Sequence, residues 1–348
     1  MQRQEAATRV GELDALRGLA ALAVVAYHYT TFYGAEVGHR PPLGFGFPAG
    51  NYGVHLFFLI SGFVIFMTLE RTRGAMDFVV SRFSRLFPAY WAAIAITAAV
   101  VYTIGMPQQR LPLGQLLLNF TMVQQLLGGE HLDGSYWTLQ VELFFYVQML
   151  AWYMLGMLGQ VRWIIAGWLA LAVGYGESMQ HHLHFSYAVR ELLIVRHIPF
   201  FALGILFYRV WSRPERPPHA DLALMGLCIV AIAVEGPPIL VLVALVCCAV
   251  FWLFVRGWLH WLAAPPFLLL GTLSYSIYLL HQAIGLAVIH QLESRGMAPM
   301  AAIGAALLLV FALACCLTFG IERPAMRAIR RAWRTRPQAQ PSVVAGET

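Results

Sequence analysis

Residues 17–28 read Arg17-Gly18-Leu19-Ala20-Ala21-Leu22-Ala23-Val24-Val25-Ala26-Tyr27-His28. An arginine and a histidine flank ten residues, almost all of them small or apolar. Eleven positions at 3.6 residues per turn make about three turns, so the two side chains share one helical face, roughly 16 Å apart along the axis. The apolar run continues to about residue 33, which is spanning length. Mid-bilayer, an arginine costs roughly 2.5–3.5 kcal/mol, so this pair is either an interfacial anchor with a satisfied core histidine or a functional intramembrane site.

The rest of the chain supports a membrane setting. It has 348 residues, 59% hydrophobic and 11% charged, with a mean hydropathy of +0.67. Soluble domains carry about 25% charged residues, because their surfaces must be polar. Apolar runs recur at about 13–33, 53–70, 86–105, 136–157, 162–177, 197–211, 221–235, 238–255, 267–290 and 299–321. The expected fold is therefore all-α and polytopic, with about ten transmembrane helices. The first run holds Arg17 and lacks a small-x-small cleavage site, unlike a signal peptide. The expected organisation is one transmembrane domain over 1–322, then a short basic tail, 323–348.

All 23 basic residues are arginine, and the net charge is +6. They cluster beside alternate spans: Arg71, Arg73, Arg82 and Arg85; Arg209, Arg213 and Arg216; and Arg323, Arg327, Arg330, Arg331, Arg334 and Arg336. By the positive-inside rule both termini are cytoplasmic. That distribution favours a lipid bilayer over nucleic acid as the basic partner. The helical spacing of Arg327, Arg330, Arg331 and Arg334 suits a helix lying on anionic headgroups. Cys228, Cys247, Cys248, Cys315 and Cys316 lie in apolar runs without CxxC spacing, so neither disulfides nor a zinc site is expected.

Three further polar groups stand in or beside apolar sequence. Thr138, Glu142 and Tyr146 fall at i, i+4 and i+8, one stripe on a helix that opens with Tyr136 and Trp137. Glu142 must be protonated, paired or facing water, and His28 is the candidate partner. Arg82 and Arg85 share a face where the third span begins, as ordinary positive flanks or as a phosphate clamp. Ser274, Tyr278 and His281 share a face in the ninth span, as interhelical hydrogen bonders or as cavity lining. The His181-His182-Leu183-His184 run has no i, i+4 ligand geometry, so no metal is expected.

In order along the chain these groups resemble the acyltransferase-3 family of membrane proteins, which O-acylate glycans, antibiotics and related acceptors. The family's arginine–x10–histidine signature matches Arg17 and His28. Gly53-Val54-His55-Leu56-Phe57-Phe58-Leu59-Ile60-Ser61-Gly62-Phe63 is similar to its next segment. The arginine pair before Pro-x-Tyr matches Arg82, Arg85, Pro88 and Tyr90. Tyr-Trp-x-Leu-x-x-Glu matches Tyr136, Trp137, Leu139 and Glu142; Ser-Tyr-x-x-Tyr-x-x-His matches Ser274, Tyr275, Tyr278 and His281; and Glu-x-Pro matches Glu322 and Pro324. His55 departs from the pattern, since many relatives carry an acid there.

The resemblance implies a ten-helix fold in the bacterial cytoplasmic membrane. Acyl-CoA, most simply acetyl-CoA, would be the cytoplasmic donor, and a glycan or other hydroxyl-bearing molecule the acceptor. Arg17, Arg82 and Arg85 would hold the CoA phosphates. His28 would act as general base or transient acyl carrier, oriented by Glu142. His55, Ser61, Tyr136, Trp137, Tyr278 and His281 would line the substrate side. The competing reading is a proton-coupled transporter or flippase, with Arg17, His28 and Glu142 on an ion pathway.

Overall fold

The computed structural model describes residues 10–180, 186–215 and 217–336, and in these the regular secondary structure is helical. Helix α1 (Gly11–Ala26) runs on into a π-turn, Tyr27–Phe32, and one more turn, Tyr33–Glu36. Then come α2 (Gly53–Arg71), α3 (Ala75–Ile104), the short α4 (Leu113–Asn119) and α5 (Trp137–Met154). They are followed by α6 (Val161–Gln180), α7 (Tyr187–Leu192), α8 (Ile198–Ser212), α9 (His219–Glu235) and α10 (Pro238–Val255). The last are α11 (Pro265–Glu293) and α12 (Pro299–Leu317), the latter joined by a second π-turn, Thr318–Glu322, to α13 (Arg323–Arg334).

Each of the ten apolar runs forms a helix, as an apolar segment must where lipid offers its backbone no partners. By length and composition alone, six helical stretches among the described residues qualify to cross a membrane: those containing α2, α3, α6, α10, α11 and α12. The Gly236-Pro237-Pro238 break is real; α9 stops at Glu235 and α10 starts with Pro238, whose missing N–H costs nothing at that position. One boundary differs by three turns. Helix α3 begins at Ala75 rather than near 86, so Arg82 and Arg85 lie inside it and not at its opening.

Helix α11 is the axis of the molecule. Its apolar window is 94% buried, against 22% for α10. It packs on α1, α3 and α12, while α2 packs on α8. Lipid tails give apolar helices little reason to associate, so close backbone approach between small residues must do it. A Cβ on Gly18 of α1 would lie 2.7 Å from the Gly271 nitrogen of α11, and one on Gly271 would strike Asp14 O. Gly62 of α2 and Gly204 of α8 meet the opposing backbone in the same way, at Phe201 O and Leu59 O.

Ion pairs hold the periphery. Asp221 of α9 takes a bidentate contact from Arg162 of α6 (2.8 and 2.9 Å) and a third bond from Arg209 of α8 (2.9 Å). Helix α13 lies along the start of α3, with Trp333 Nε1 donating to Asp77 (2.7 Å) and Arg330 Nε to Ser84 Oγ (3.2 Å).

The π-turn at His28 is also braced. Tyr33 N–H bonds to His28 O, five residues back, and His39 Nε2 bonds to Tyr29 O at 3.0 Å. His39 Nδ1 in turn contacts Glu293 at the end of α11 (2.7 Å), and Thr31 accepts from Phe47 N (2.7 Å). The loop after α1 is thereby tied down on both sides of the turn.

Candidate active site

One partly open cavity collects polar groups from five helices. Arg17 comes from α1, Ser61 from α2, Arg82 and Arg85 from α3, Thr138, Glu142 and Tyr146 from α5, and Ser274, Tyr275 and Tyr278 from α11. The α5 stripe read from i, i+4, i+8 spacing thus forms one wall.

The three arginines are in different electrostatic states. Arg85 Nη1 is 2.7 Å from Glu322 Oε1, a carboxylate that also accepts from Ser276 Oγ at 3.2 Å. Among the described residues Arg82 has no carboxylate within ion-pair distance, and its Nη2 donates to Ser81 Oγ at 3.2 Å. Its guanidinium lies 5.8 Å from the Phe78 ring centroid and 5.9 Å from that of Tyr146, and its Nε is buried without a hydrogen-bond partner. Arg17 makes no hydrogen bond or ion pair among the described residues. Two guanidiniums are therefore available to an anion entering the cavity. Glu142 accepts from Ser61 Oγ (2.9 Å) and from the Tyr146 hydroxyl, and it lies within electrostatic range of Arg82 without a direct ion pair to it.

His28 is not paired with Glu142, and this corrects the pairing expected from sequence. Its partner is His281 of α11, with Nε2 of His281 3.2 Å from Nδ1 of His28 and the rings crossed at 70°. His28 Nδ1 is also 2.9 Å from Val24 O, and His281 Nδ1 is 2.8 Å from Tyr278 O. These contacts assign the tautomers. Facing a carbonyl, His281 Nδ1 carries the hydrogen and leaves Nε2 as an acceptor. His28 Nδ1, facing a carbonyl and that acceptor, is the donor. The lone pair of His28 is then on Nε2, which has no hydrogen-bond partner among the described residues.

The cavity and the histidine pair adjoin through Tyr278. Its side chain lines the cavity, accepting from Thr138 Oγ1 at 2.9 Å, while its carbonyl holds His281. The other expected site residues lie further out. Trp137 packs on Phe58 and His197, with centroids at 6.1 and 5.3 Å. His55 packs against Phe200 with the rings tilted and centroids at 4.6 Å, and its Nδ1 is buried without a hydrogen-bond partner among the described residues. Tyr136 is wholly buried, donates to Leu279 O (3.2 Å) and is not on the cavity wall. Among the described residues no three His, Cys, Asp or Glu side chains group as metal ligands; His181, His182 and His184 lie outside those residues.

Two residues were given no role from sequence. Glu322 was noted only for its Glu-x-Pro context, although a buried acid at the end of an apolar span is itself a signal. Asp133 sits in Leu132-Asp133-Gly134-Ser135, which reads as turn chemistry and carries no signal of burial.

Residues 10–321 match the family model described as an acyltransferase domain. The chain belongs to the acyltransferase-3 family. It is 27% identical over 314 residues to the exopolysaccharide production protein ExoZ of Rhizobium meliloti, covering 85% of this chain and 94% of that protein. It is 35% identical over 128 residues to protein 2 in the picA locus of Rhizobium radiobacter (33% of this chain, 61% of that one). With the acyltransferase MdmB of Streptomyces mycarofaciens it shares 29% over 182 residues (47% and 45%). The chain thus spans under two thirds of the length of the last two. No solved structure matches it.

Proposed function

We propose that this protein is a ten-span O-acyltransferase of the bacterial cytoplasmic membrane. It would move an acyl group, most simply acetyl, from cytoplasmic acyl-CoA to a hydroxyl of a glycan or other envelope or small-molecule acceptor. The observation that carries this reading is a polar cavity that adjoins a histidine pair through Tyr278. Two cavity guanidiniums without a direct carboxylate partner among the described residues suit the phosphates of CoA, and next to them the histidine pair presents one imidazole lone pair. The resemblance to an exopolysaccharide production protein over nearly the whole chain supports a glycan acceptor. The arginine clusters support both termini, and the cavity mouth beside α3, facing the cytoplasm.

In the proposed reaction, His28 Nε2 takes the acceptor hydroxyl proton as its oxygen attacks the thioester carbonyl. The tetrahedral adduct collapses with cleavage of the C–S bond, and the CoA thiolate leaves with the proton from His28. Glu142, bonded to Ser61 and Tyr146, shapes the cavity wall and has no direct part in the proton transfer. Purified protein given labelled acetyl-CoA and envelope polysaccharide should release CoA and label the polysaccharide. His28→Ala should abolish both while leaving thermal unfolding within a few degrees of the parent. Full turnover in that variant would remove His28 from the chemistry, and acetyl-CoA-independent movement of solute across vesicles would favour the transporter reading.

A further inference from the structure

Asp133 precedes α5 and meets α11 two residues beyond His281, and its contacts are unusual. Its side chain is wholly buried between α4 and α5. Oδ1 accepts from Ser135 N (2.9 Å) and Ser135 Oγ (2.5 Å). Oδ2 accepts from Ala283 N, in the middle of α11, at 2.7 Å. A mid-helix N–H ordinarily points along the axis to a carbonyl four residues back. Here it serves a carboxylate from another segment, two residues beyond His281.

Other side chains grip the same turn. Tyr136 OH donates to Leu279 O (3.2 Å), Tyr29 OH to His281 O (2.9 Å) and Gln109 Nε2 to Ala283 O (3.1 Å). A helix needs none of these for its own stability. Together they fix the rotation and height of the turn that carries His281.

Asp133 also has no cation. Two N–H groups and a hydroxyl converge on it and favour the ionised form, while full burial works the other way and raises its pKa; no arginine or histidine lies within ion-pair distance among the described residues. A buried charge without a counter-charge is costly. The titratable groups facing it are Tyr29 of the π-turn, Tyr90 of α3, Tyr136 before α5 and Tyr278 of α11, all neutral near pH 7. His28 is within electrostatic range, and His281 stands next to it. Glu293, which contacts His39 Nδ1 at 2.7 Å, lies beyond the Tyr29 carbonyl.

We infer that Asp133 is a positioning residue for the transfer step: it fixes the His281 turn and supplies the negative charge that balances His28 when His28 takes up the acceptor's proton. This rests on His28 as the base. On protonation at Nε2, His28 carries N–H at both ring positions, and its Nδ1–H donates to the Nε2 acceptor of His281. The positive charge then spreads over two imidazoles against a fixed carboxylate. When the thiolate takes the proton, Asp133 is again without a counter-charge, which favours return to a state ready to accept.

The test is the titration of His28, read directly in 13C-histidine-labelled protein in nanodiscs with His28→Gln to assign its resonance. Asp133→Asn should lower the His28 midpoint by about one pH unit. The acid limb of kcat, measured with acetyl-CoA and polysaccharide, should move down with it, with donor KM within twofold. A role in packing alone would lower yield or stability and leave both curves where they were, and that result overturns the inference. If Asp133→Asn does not reach the membrane, Ser135→Ala serves instead. It keeps the carboxylate, removes its hydroxyl donor and should move the midpoint the opposite way, upward; no movement sinks the idea equally. Activity retained in His28→Ala would instead defeat the proposed reaction, so the two failures are distinct.

Discussion

Replacing Arg85 should harm the protein more through what it leaves behind than through what it removes. Glu322 has a side chain only 1% exposed, with Arg85 at 2.7 Å as its one cationic partner among the described residues. Arg85→Met strands that carboxylate with two hydroxyl neighbours, Ser276 Oγ at 3.2 Å and Thr318 Oγ1 at 3.5 Å. Breaking a buried pair from one side costs about 3–5 kcal/mol. Arg85 itself is 24% exposed, so the lower figure applies. At about 2 °C per kcal/mol for a chain of this size, the loss in Tm is roughly 6 °C.

Adding Glu322→Gln removes the stranded charge and keeps an amide that the same hydroxyls can bond. The double variant should then recover at least half of the loss. The assay is thermal unfolding in detergent followed by tryptophan fluorescence, run as a double-mutant cycle. A double variant no more stable than Arg85→Met would show that the carboxylate is not balanced by Arg85, and would refute the reasoning. The cycle also decides how Arg85 can be used as a donor probe. Only in the Glu322→Gln background does a change in donor KM report phosphate binding rather than a disturbed α3–α12 contact.

Arg82 offers a cleaner probe, since it has no carboxylate to strand: Arg82→Gln should raise donor KM by roughly 10- to 100-fold, the worth of one charge-assisted bond to phosphate, with kcat changed far less. An unchanged KM for acetyl-CoA would count against the clamp. His131, between α4 and α5, is lowered to about 4 by burial, so the unfolded chain takes up its proton first and stability is lost as pH falls from about 6.5 towards 4, by roughly 1–2 kcal/mol after allowing for partial exposure. His131→Gln should flatten the Tm-versus-pH curve over that window; an unaltered slope would mean that another group governs acid sensitivity.

Periodicity within a single helix was legible from the sequence, and pairing between helices was not. Thr138, Glu142 and Tyr146 do form one wall, because i, i+4, i+8 spacing follows from helical geometry alone. Which helix that wall faces depends on packing, so Glu142 met Ser61 and Tyr146 while His28 met a histidine 253 residues away. The start of α3 was misread for a related reason. Hydropathy falls at Asp77, Arg82 and Arg85, yet arginine is a good helix former and both guanidiniums turn into the cavity rather than out to water. Asp133 was invisible because its decisive bond is to a backbone N–H, which every residue has.

The Gly18–Gly271 crossing explains why the arginine–histidine spacing on α1 has to be matched by a spacing on α11. With the two backbones in contact there, Arg17 and the Ser274–Tyr275 step border the cavity together, and about three turns beyond the crossing His28 meets His281. Between these levels lies a small apolar cluster, Val24, Val54 and Tyr278 with Phe57 and Trp137 against it. Its Val24 and Tyr278 carbonyls are the ones that hold the two imidazoles. On the proposed reading, the cluster is where the donor changes character: phosphates remain with the guanidiniums, and only a neutral arm and its thioester pass on to His28 Nε2. A charged group driven through would lose its hydrogen-bonding partners among apolar side chains, at a cost that no contact there repays. On that reading the same pair of helices sets the distance between binding and chemistry and filters what can cover it.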